Sequence, residues 1–408
     1  MKVLYVTARS PYPPHKGDQL IAYEQIKKLA ASSVKVYLIS FVSSEGEEKE
    51  LREEVGDCCE AIYTLSIRKS TQIRNLANSL TNKKPFQVNL NTNTFIKTKL
   101  DNIVETVSPD LIHVQTVRIA DYFLDTDIPK VVDMIDALSL NMKRRAEKEK
   151  FPLKQVCRIE SKLLRAYEER VLSEYSKALL VSESDTKAFP QANITVNPNG
   201  TYITKEYLQN YETIKREKII LFHGNMGYFP NVEAMTVFVK EIWPRIHGKY
   251  PDYKLYIVGK SPSSKIQSFH GQQNIVVTGF VEEVCEYLKK AAIGVYPMYS
   301  GTGMQNKILE ALACGLPSVA TPLALQGIKG ISDREVIKVT NNDELCRSID
   351  NLIQEDLVRR ELSKKGQDFI FRNYSWEKNV DTLIKVWEKA ASKNVDNDSV
   401  LKKEALYL

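Results

Sequence analysis

The chain has 408 residues, 43% of them hydrophobic and 26% charged, with a formal net charge of +6. That balance describes a soluble globular protein of two or three domains and excludes disordered, collagen-like and dedicated nucleic-acid-binding chains. Six cysteines without a C-x-x-C pair and five histidines argue against a zinc or disulfide framework, and no apolar run reaches the length of a membrane span.

The opening run, KVLYVT at 2–7, is predicted to be a first strand. It is too short and too soon polar for a signal peptide, so a cytoplasmic protein is expected. A Pro/Gly-rich loop follows at 9–18 (RSPYPPHKGD), then a helix over 20–31 with apolar residues at Ile21, Ala22, Ile26, Leu29 and Ala30. Further apolar runs at 34–42, 111–114, 131–135 and 178–181 read as buried strands. Strands alternating with helices indicate a parallel sheet. Between Glu60 and Asp101 there is no acidic residue but seven basic ones: Arg68, Lys69, Arg74, Lys83, Lys84, Lys97 and Lys99. Such a patch suits peripheral contact with an anionic membrane through 68–99, and a merely solvated face is the other reading.

The pattern restarts near 218. KIILF at 218–222 is a strand, HGNMGYF at 223–229 a glycine-containing loop, and Pro230 suits a helix start. Strands are expected again at 254–258, 274–277, 293–296 and 318–321. The chain therefore reads as α/β, with two doubly wound Rossmann-like domains, 1–203 and 204–376, joined through the NPNG of 197–200. Open α/β sheets bind ligands outside the carboxyl ends of their strands, so an interdomain cleft with one substrate per domain is expected.

The most specific stretch is YSGTGMQNKILEALACGLP at 299–317. A strand runs into the loop Gly301-Thr302-Gly303, and a helix is predicted from about Met304 to Cys314-Gly315. The glycines permit close backbone approach, and the free N–H groups at the helix start suit an anion. Gly303, Lys307 and Glu310, at i, i+4 and i+7, share one face. Two helical turns rise roughly 10 Å, the span from a diphosphate to its ribose. Lys307 then meets phosphate charge and Glu310 accepts hydrogen bonds from ribose hydroxyls. A surface helix with an incidental lysine and glutamate is the plainer reading. The G-x-x-x-x-G-K-[ST] and G-x-G-x-x-G loops are both missing, so neither a triphosphate nor NAD is indicated.

This stretch resembles the donor-site signature of retaining glycosyltransferases of the GT-B fold, glycosyltransferase family 4, the group 1 glycosyltransferases. FHGNMGYFPNVEA at 222–234, IVGKSP at 257–262 and VTGF at 277–280 resemble that family's donor-domain segments. FRNYSW at 371–376 resembles its tryptophan-containing C-terminal helix, which implies a segment 377–392 crossing back to the N-terminal domain and a polar tail over 393–408. The likeness is strongest to sugar transferases of polysaccharide gene clusters. It implies donor contacts from Gly17, Asp18, Gly224, Asn225, Lys260, Phe280, Gly301, Thr302, Gly303, Met304, Gln305, Asn306, Lys307 and Glu310. Two departures stand out. Thr302 occupies the place of the family's first glutamate, with seven residues between it and the second, Glu310. The basic pair after the first donor-domain strand is missing, leaving Lys260 and Lys307 to neutralise charge.

For the reacting centre, the resemblance points to Asp136, in VVDMIDALS, as a carboxylate beside the transferred sugar, with capping of a helix as the alternative. Catalytic roles are thus expected of Asp136, Lys307 and Glu310. Asp133 and His113 are candidates for the acceptor side, with burial as the alternative for each. Asp18 is either a ligand contact or a helix cap, and His223 is open in the same way. Asp125-Thr126-Asp127 reads as a polar turn rather than a metal site. The expected activity is transfer of a sugar from a nucleoside diphosphate donor to a glycan or lipid-linked acceptor with retention. No cofactor, metal or nucleic acid is called for, and the protein is placed in the cytoplasm or on the inner face of the membrane. The rivals are a nucleotide-sugar epimerase and an inactive sugar-nucleotide or glycan-binding protein.

Overall fold

In a computed structural model, which describes residues 1–301 and 304–404, the chain divides into two compact units. One comprises Met1–Asn197 together with the chain from Asn379, and the other Pro198–Lys378. The divides lie at 197/198 and 378/379, against 203/204 and 376/377 read from the sequence.

The first unit carries a seven-stranded parallel sheet in the order β3-β2-β1-β4-β5-β6-β7. Its strands are β1 (Lys2–Thr7), β2 (Lys35–Phe41), β3 (Ala61–Leu65), β4 (Leu111–Gln115), β5 (Lys130–Asp133), β6 (Lys177–Leu180) and β7 (Ile194–Val196). Alternate residues of β1 serve two cores. Leu4 and Val6 join Ile112, Val114 and Val132 on one face. Val3 and Tyr5 join Ala22, Ile26 and Leu29 of the helix Gly17–Leu29 on the other. Burial on both faces is why these strands read as continuous apolar runs.

The second core also takes Val380, Leu383, Trp387 and Ala390 from the C-terminal helix Trp376–Glu404. That helix continues through most of the stretch expected to be a polar tail. Trp387 Nε1 donates to His113 Nδ1 at 3.1 Å, and Gln25 Nε2 donates to Asn379 Oδ1 at 2.9 Å.

The second unit has a six-stranded parallel sheet in the order β10-β9-β8-β11-β12-β13. These are β8 (Glu217–His223), β9 (Lys254–Val258), β10 (Ile275–Gly279), β11 (Ala291–Tyr296), β12 (Ser318–Ala320) and β13 (Ile337–Lys338). In both sheets the strand order reverses once, at β1/β4 and at β8/β11. Loops leaving the carboxyl ends there diverge to opposite faces and open a crevice. Among the described residues no helix is long and apolar enough to cross a membrane.

Candidate functional site

In the second unit the loop after β11 feeds the helix Asn306–Ala313. The helix begins two residues later than expected, because Gln305 is the non-helical cap residue, at φ −93° and ψ 86°. It is not a surface helix: Lys307, Ile308, Leu309, Ala311, Leu312 and Ala313 are all buried. Thr302 and Gly303 lie outside the described residues. Gly301 has φ +127°, a left-handed conformation open to glycine, and an added Cβ there would lie 3.6 Å from Gln305 Nε2. Met304 packs against the core, and Asn306 accepts from Asn199 Nδ2 at 3.0 Å.

The Lys307 ammonium donates to Asn231 Oδ1 and lies 5.0 Å from the centroid of the Phe222 ring. Asn231 in turn donates to the Asn225 carbonyl at 2.9 Å. Burial drives the Lys307 pKa down to about 7, and Glu310 opposes the fall. An anion brought beside such a lysine would favour its charged form. The Glu310 carboxylate, one turn on, is hydrogen-bonded to His223 Nε2 at 3.1 Å, and the Tyr296 hydroxyl to His223 Nδ1 at 3.1 Å. This buried relay from β11 through β8 fixes one carboxylate oxygen of Glu310.

The neighbouring strand ends complete the edge. Gly224, at φ +146°, sits where a Cβ would meet Asn231 Nδ2 at 2.9 Å and Lys307 Cδ at 3.7 Å. The Lys260 carbonyl accepts from Met226 N at 2.9 Å, tying the loop after β9 to the loop after β8. Phe280, just past β10, is 70% exposed. The structure thus brings Gly224, Asn225, Gly301, Gln305, Asn306, Lys307 and Glu310 together through shared contacts, with Lys260 and Phe280 further along the same edge. Asn231 was missed by sequence reasoning. Pro230 marked a helix start, but nothing local showed that the next side chain reaches a lysine 76 residues away.

In the first unit the loops after β1, β4 and β5 carry the charged groups. Asp18 is not a helix cap. The cap position is Lys16, and the Asp18 carboxylate pairs with Arg9 Nη1 at 2.8 Å. Around Gly17 an added Cβ would meet nothing within 4 Å. Asp136 follows Ile135, a β-branched residue at φ +65°, a strained conformation of the sort held at functional sites. Burial, and then Asp185, push the Asp136 carboxyl up to about 7, with Arg118 and Arg144 pulling the other way. Arg118, whose Nε donates to Gln87 Oε1 at 3.1 Å, feels Arg9, Asp18 and Asp136. Arg9, Arg118 and Arg144 escaped the sequence reading because they meet Asp18 and Asp136 only in the fold.

Two acceptor-side expectations are corrected. His113 is fully buried in mid-strand, in register with Tyr5, and is hydrogen-bonded by Trp387. Burial lowers its pKa to about 3, so it is a neutral core residue. Asp133 is buried at the end of β5, where Oδ1 accepts from Ile135 N at 3.0 Å. It braces the strained turn rather than facing a ligand, and burial raises its pKa to about 6. Asp125 and Asp127 precede β5, at the end of the sheet opposite these loops. Lys130 Nζ binds the Leu124 and Thr126 carbonyls there at 2.9 and 2.7 Å.

Comparison with known proteins places this geometry. Residues 217–355 match the family described as glycosyl transferases group 1. An uncharacterized glycosyltransferase of Methanocaldococcus jannaschii is 25% identical over 193 residues, 46% of this chain and 41% of that protein. An uncharacterized 44.6 kDa protein in the cps region of Klebsiella pneumoniae is 23% identical over 41% of this chain and 45% of its own length. The chain thus spans less than half of each of these two curated relatives. Among solved structures, sucrose-phosphate synthase from Thermosynechococcus elongatus superposes with a TM-score of 0.67 at 13% identity, covering 96% of this chain and 100% of that one. Anabaena HepE in complex with UDP gives 0.66 at 14% identity, covering 95% and 100%. Two parallel Rossmann-like sheets with these neighbours constitute the GT-B fold, and within it residues 217–355, about a third of the chain, are similar to the group 1 glycosyl transferases.

Proposed function

We propose that the protein transfers a sugar from a nucleoside diphosphate donor to a glycan or lipid-linked acceptor, with retention of configuration. One observation carries this reading: a desolvated Lys307 and a relay-held Glu310 lie one turn apart at the switch point of the second sheet. Lys307, Lys260 and backbone amides near the helix start take up the charge that develops on the leaving diphosphate. The free oxygen of Glu310 accepts from the ribose. These groups supply the neutralisation a metal would otherwise provide, so the activity is proposed to be metal-independent. HepE has been seen with UDP and with UDP-glucose, which makes uridine the first base to try. The cps-region relative favours a place in surface polysaccharide synthesis. The basic segment 68–99 would keep the enzyme beside a lipid-linked acceptor at a membrane.

The test is a titration of UDP, GDP, ADP and dTDP in the presence of a chelator, with Glu310→Ala beside the wild type. One nucleotide is expected to bind selectively. The variant should lose about 10- to 100-fold in affinity, the worth of a charged hydrogen bond to ribose. Equal binding by the variant, or no binding at all, would sink the assignment.

Asp136 is proposed to hydrogen-bond the sugar or take the acceptor proton, which requires the carboxylate. With its pKa raised to about 7, turnover should fall tenfold per pH unit below that value and level off above it. Asp136→Asn should lower kcat by about 10²- to 10⁴-fold and abolish that acid limb. A rate profile with an unchanged acid limb in the variant would remove Asp136 from the chemistry.

A further inference from the structure

The helices Leu138–Lys148 and Leu153–Glu174 of the first unit lie against each other as a hairpin. Residues 149–152 form its tip. The longer helix sends Cys157, Glu160 and Leu164 inward, as a packed helix should. Its outer face is not polar. Leu153, Val156 and Ile159 are exposed at three-residue spacing, and Phe151 at the tip is 82% exposed. An uncovered apolar ridge of this kind marks an interaction surface.

Charge surrounds the ridge. Residues 143–165 hold nine Lys and Arg against three Glu. Of the three, Glu160 is buried and accepts from the amides of Phe86 and Gln87 at 2.8 and 3.1 Å. Glu149 is paired with Arg145 at 3.0 Å. A groove of about 650 Å³ beside the ridge is lined by Lys143, Glu147, Arg158 and Lys162. The short helix Phe86–Asn89 joins this region to the basic segment, since Asn75 Nδ2 donates to the Asn89 and Thr92 carbonyls. Ile73 and Phe95 in that segment are also exposed.

We propose that the tip of this hairpin docks on an anionic lipid surface. Phe151, Leu153, Val156 and Ile159 enter the headgroup boundary, while Lys150, Lys154, Arg158 and Lys162 meet lipid phosphates. Apolar side chains on one face with a lysine and arginine rim are what an interfacial helix needs. A protein partner would have to offer acidic groups around a deep apolar socket for a protruding tip. A bilayer with anionic headgroups offers both at once. The inference concerns a surface that the nucleotide-binding residues do not share, so it stands or falls separately from the proposed transferase activity.

The experiment is co-sedimentation of the full chain with phosphatidylcholine vesicles, with and without phosphatidylglycerol, at low ionic strength. Wild type is expected to bind only the phosphatidylglycerol vesicles. Phe151→Ser with Ile159→Ser, and separately Lys150→Glu with Lys154→Glu, should each weaken binding by at least about tenfold. Both pairs should keep the wild-type circular dichroism and thermal midpoint. Phe151→Trp should shift its emission to the blue on adding those vesicles. No binding by wild type, equal binding by the Phe151/Ile159 pair, or a Phe151-dependent dimer without vesicle binding would each overturn the proposal.

Discussion

Lys307→Met is expected to weaken nucleoside diphosphate binding by about a thousandfold, the cost of removing one partner from a buried charge pair. The larger consequence is in the pH dependence. Burial holds the free lysine near pKa 7. An arriving diphosphate favours the charged form and raises that pKa, so binding above pH 7 must take up a proton. Wild-type affinity should therefore be flat below pH 7 and fall tenfold per unit above it, until the pKa of the complex is reached. The methionine variant should be insensitive in that window. Calorimetry in buffers of different ionisation enthalpy would show the uptake directly, and its absence from wild type would refute the buried-ammonium account. In the proposed reaction Asp136 acts ionised and Lys307 protonated, and burial moves both groups to about 7. The profile of kcat/KM should then be a narrow bell centred near neutrality. That of kcat should extend further to the alkaline side, because bound donor holds the lysine charged.

Gly259→Ala should be the most damaging single methyl group in the second unit. Gly259 sits at φ +140°, where an added Cβ would lie 1.8 Å from the Gly224 carbonyl oxygen and 2.8 Å from its carbon. Neither backbone can retreat freely. Gly224 N donates to Val258 O at 3.0 Å, and Gly259 N donates to Gly279 O at 3.1 Å. Backbone strain of about 1–3 kcal/mol adds to overpacking of about 1–3 kcal/mol. For a unit of this size the sum lowers the thermal midpoint by roughly 10 °C. Gly248→Ala is the control. It lies in the helix Trp243–Lys249 with nothing within 4 Å of the added Cβ, and should stabilise by about 0.5–1 kcal/mol. A differential scan in which both variants melt alike would show that the 224/259 contact is not tight in solution.

Strands were legible where they are central. β1, β2, β4, β8, β9 and β11 are long apolar runs because helices or other layers cover both faces, and periodicity alone finds them. The three strands that escaped, β3, β7 and β13, are all at sheet edges. β7 has three residues and β13 two, and neither contains a buried side chain. The cluster of Gly301, Lys307 and Glu310 was legible because these residues are close in sequence. Its reinforcement was not. Asn231, His223 and Tyr296 come from three other elements, and only the assembled sheet shows that Lys307 is buried rather than presented at a surface helix start. His113 misled for the same reason. A histidine in a short strand leaves ligand contact and burial both open until a tryptophan 274 residues later is seen to cover it.

That tryptophan has a consequence for how the protein is made. The first unit takes part of its core from Val380, Leu383, Trp387 and Ala390, whereas the second unit is continuous in the chain. On the ribosome the second unit can close as soon as its last strand and helices emerge. The first unit, although begun earlier, must wait with the layer around Tyr5 and His113 incompletely covered until the helix Trp376–Glu404 is synthesised. The domain started first is finished last, and a chain stalled before residue 380 would present that uncovered layer to chaperones and proteases.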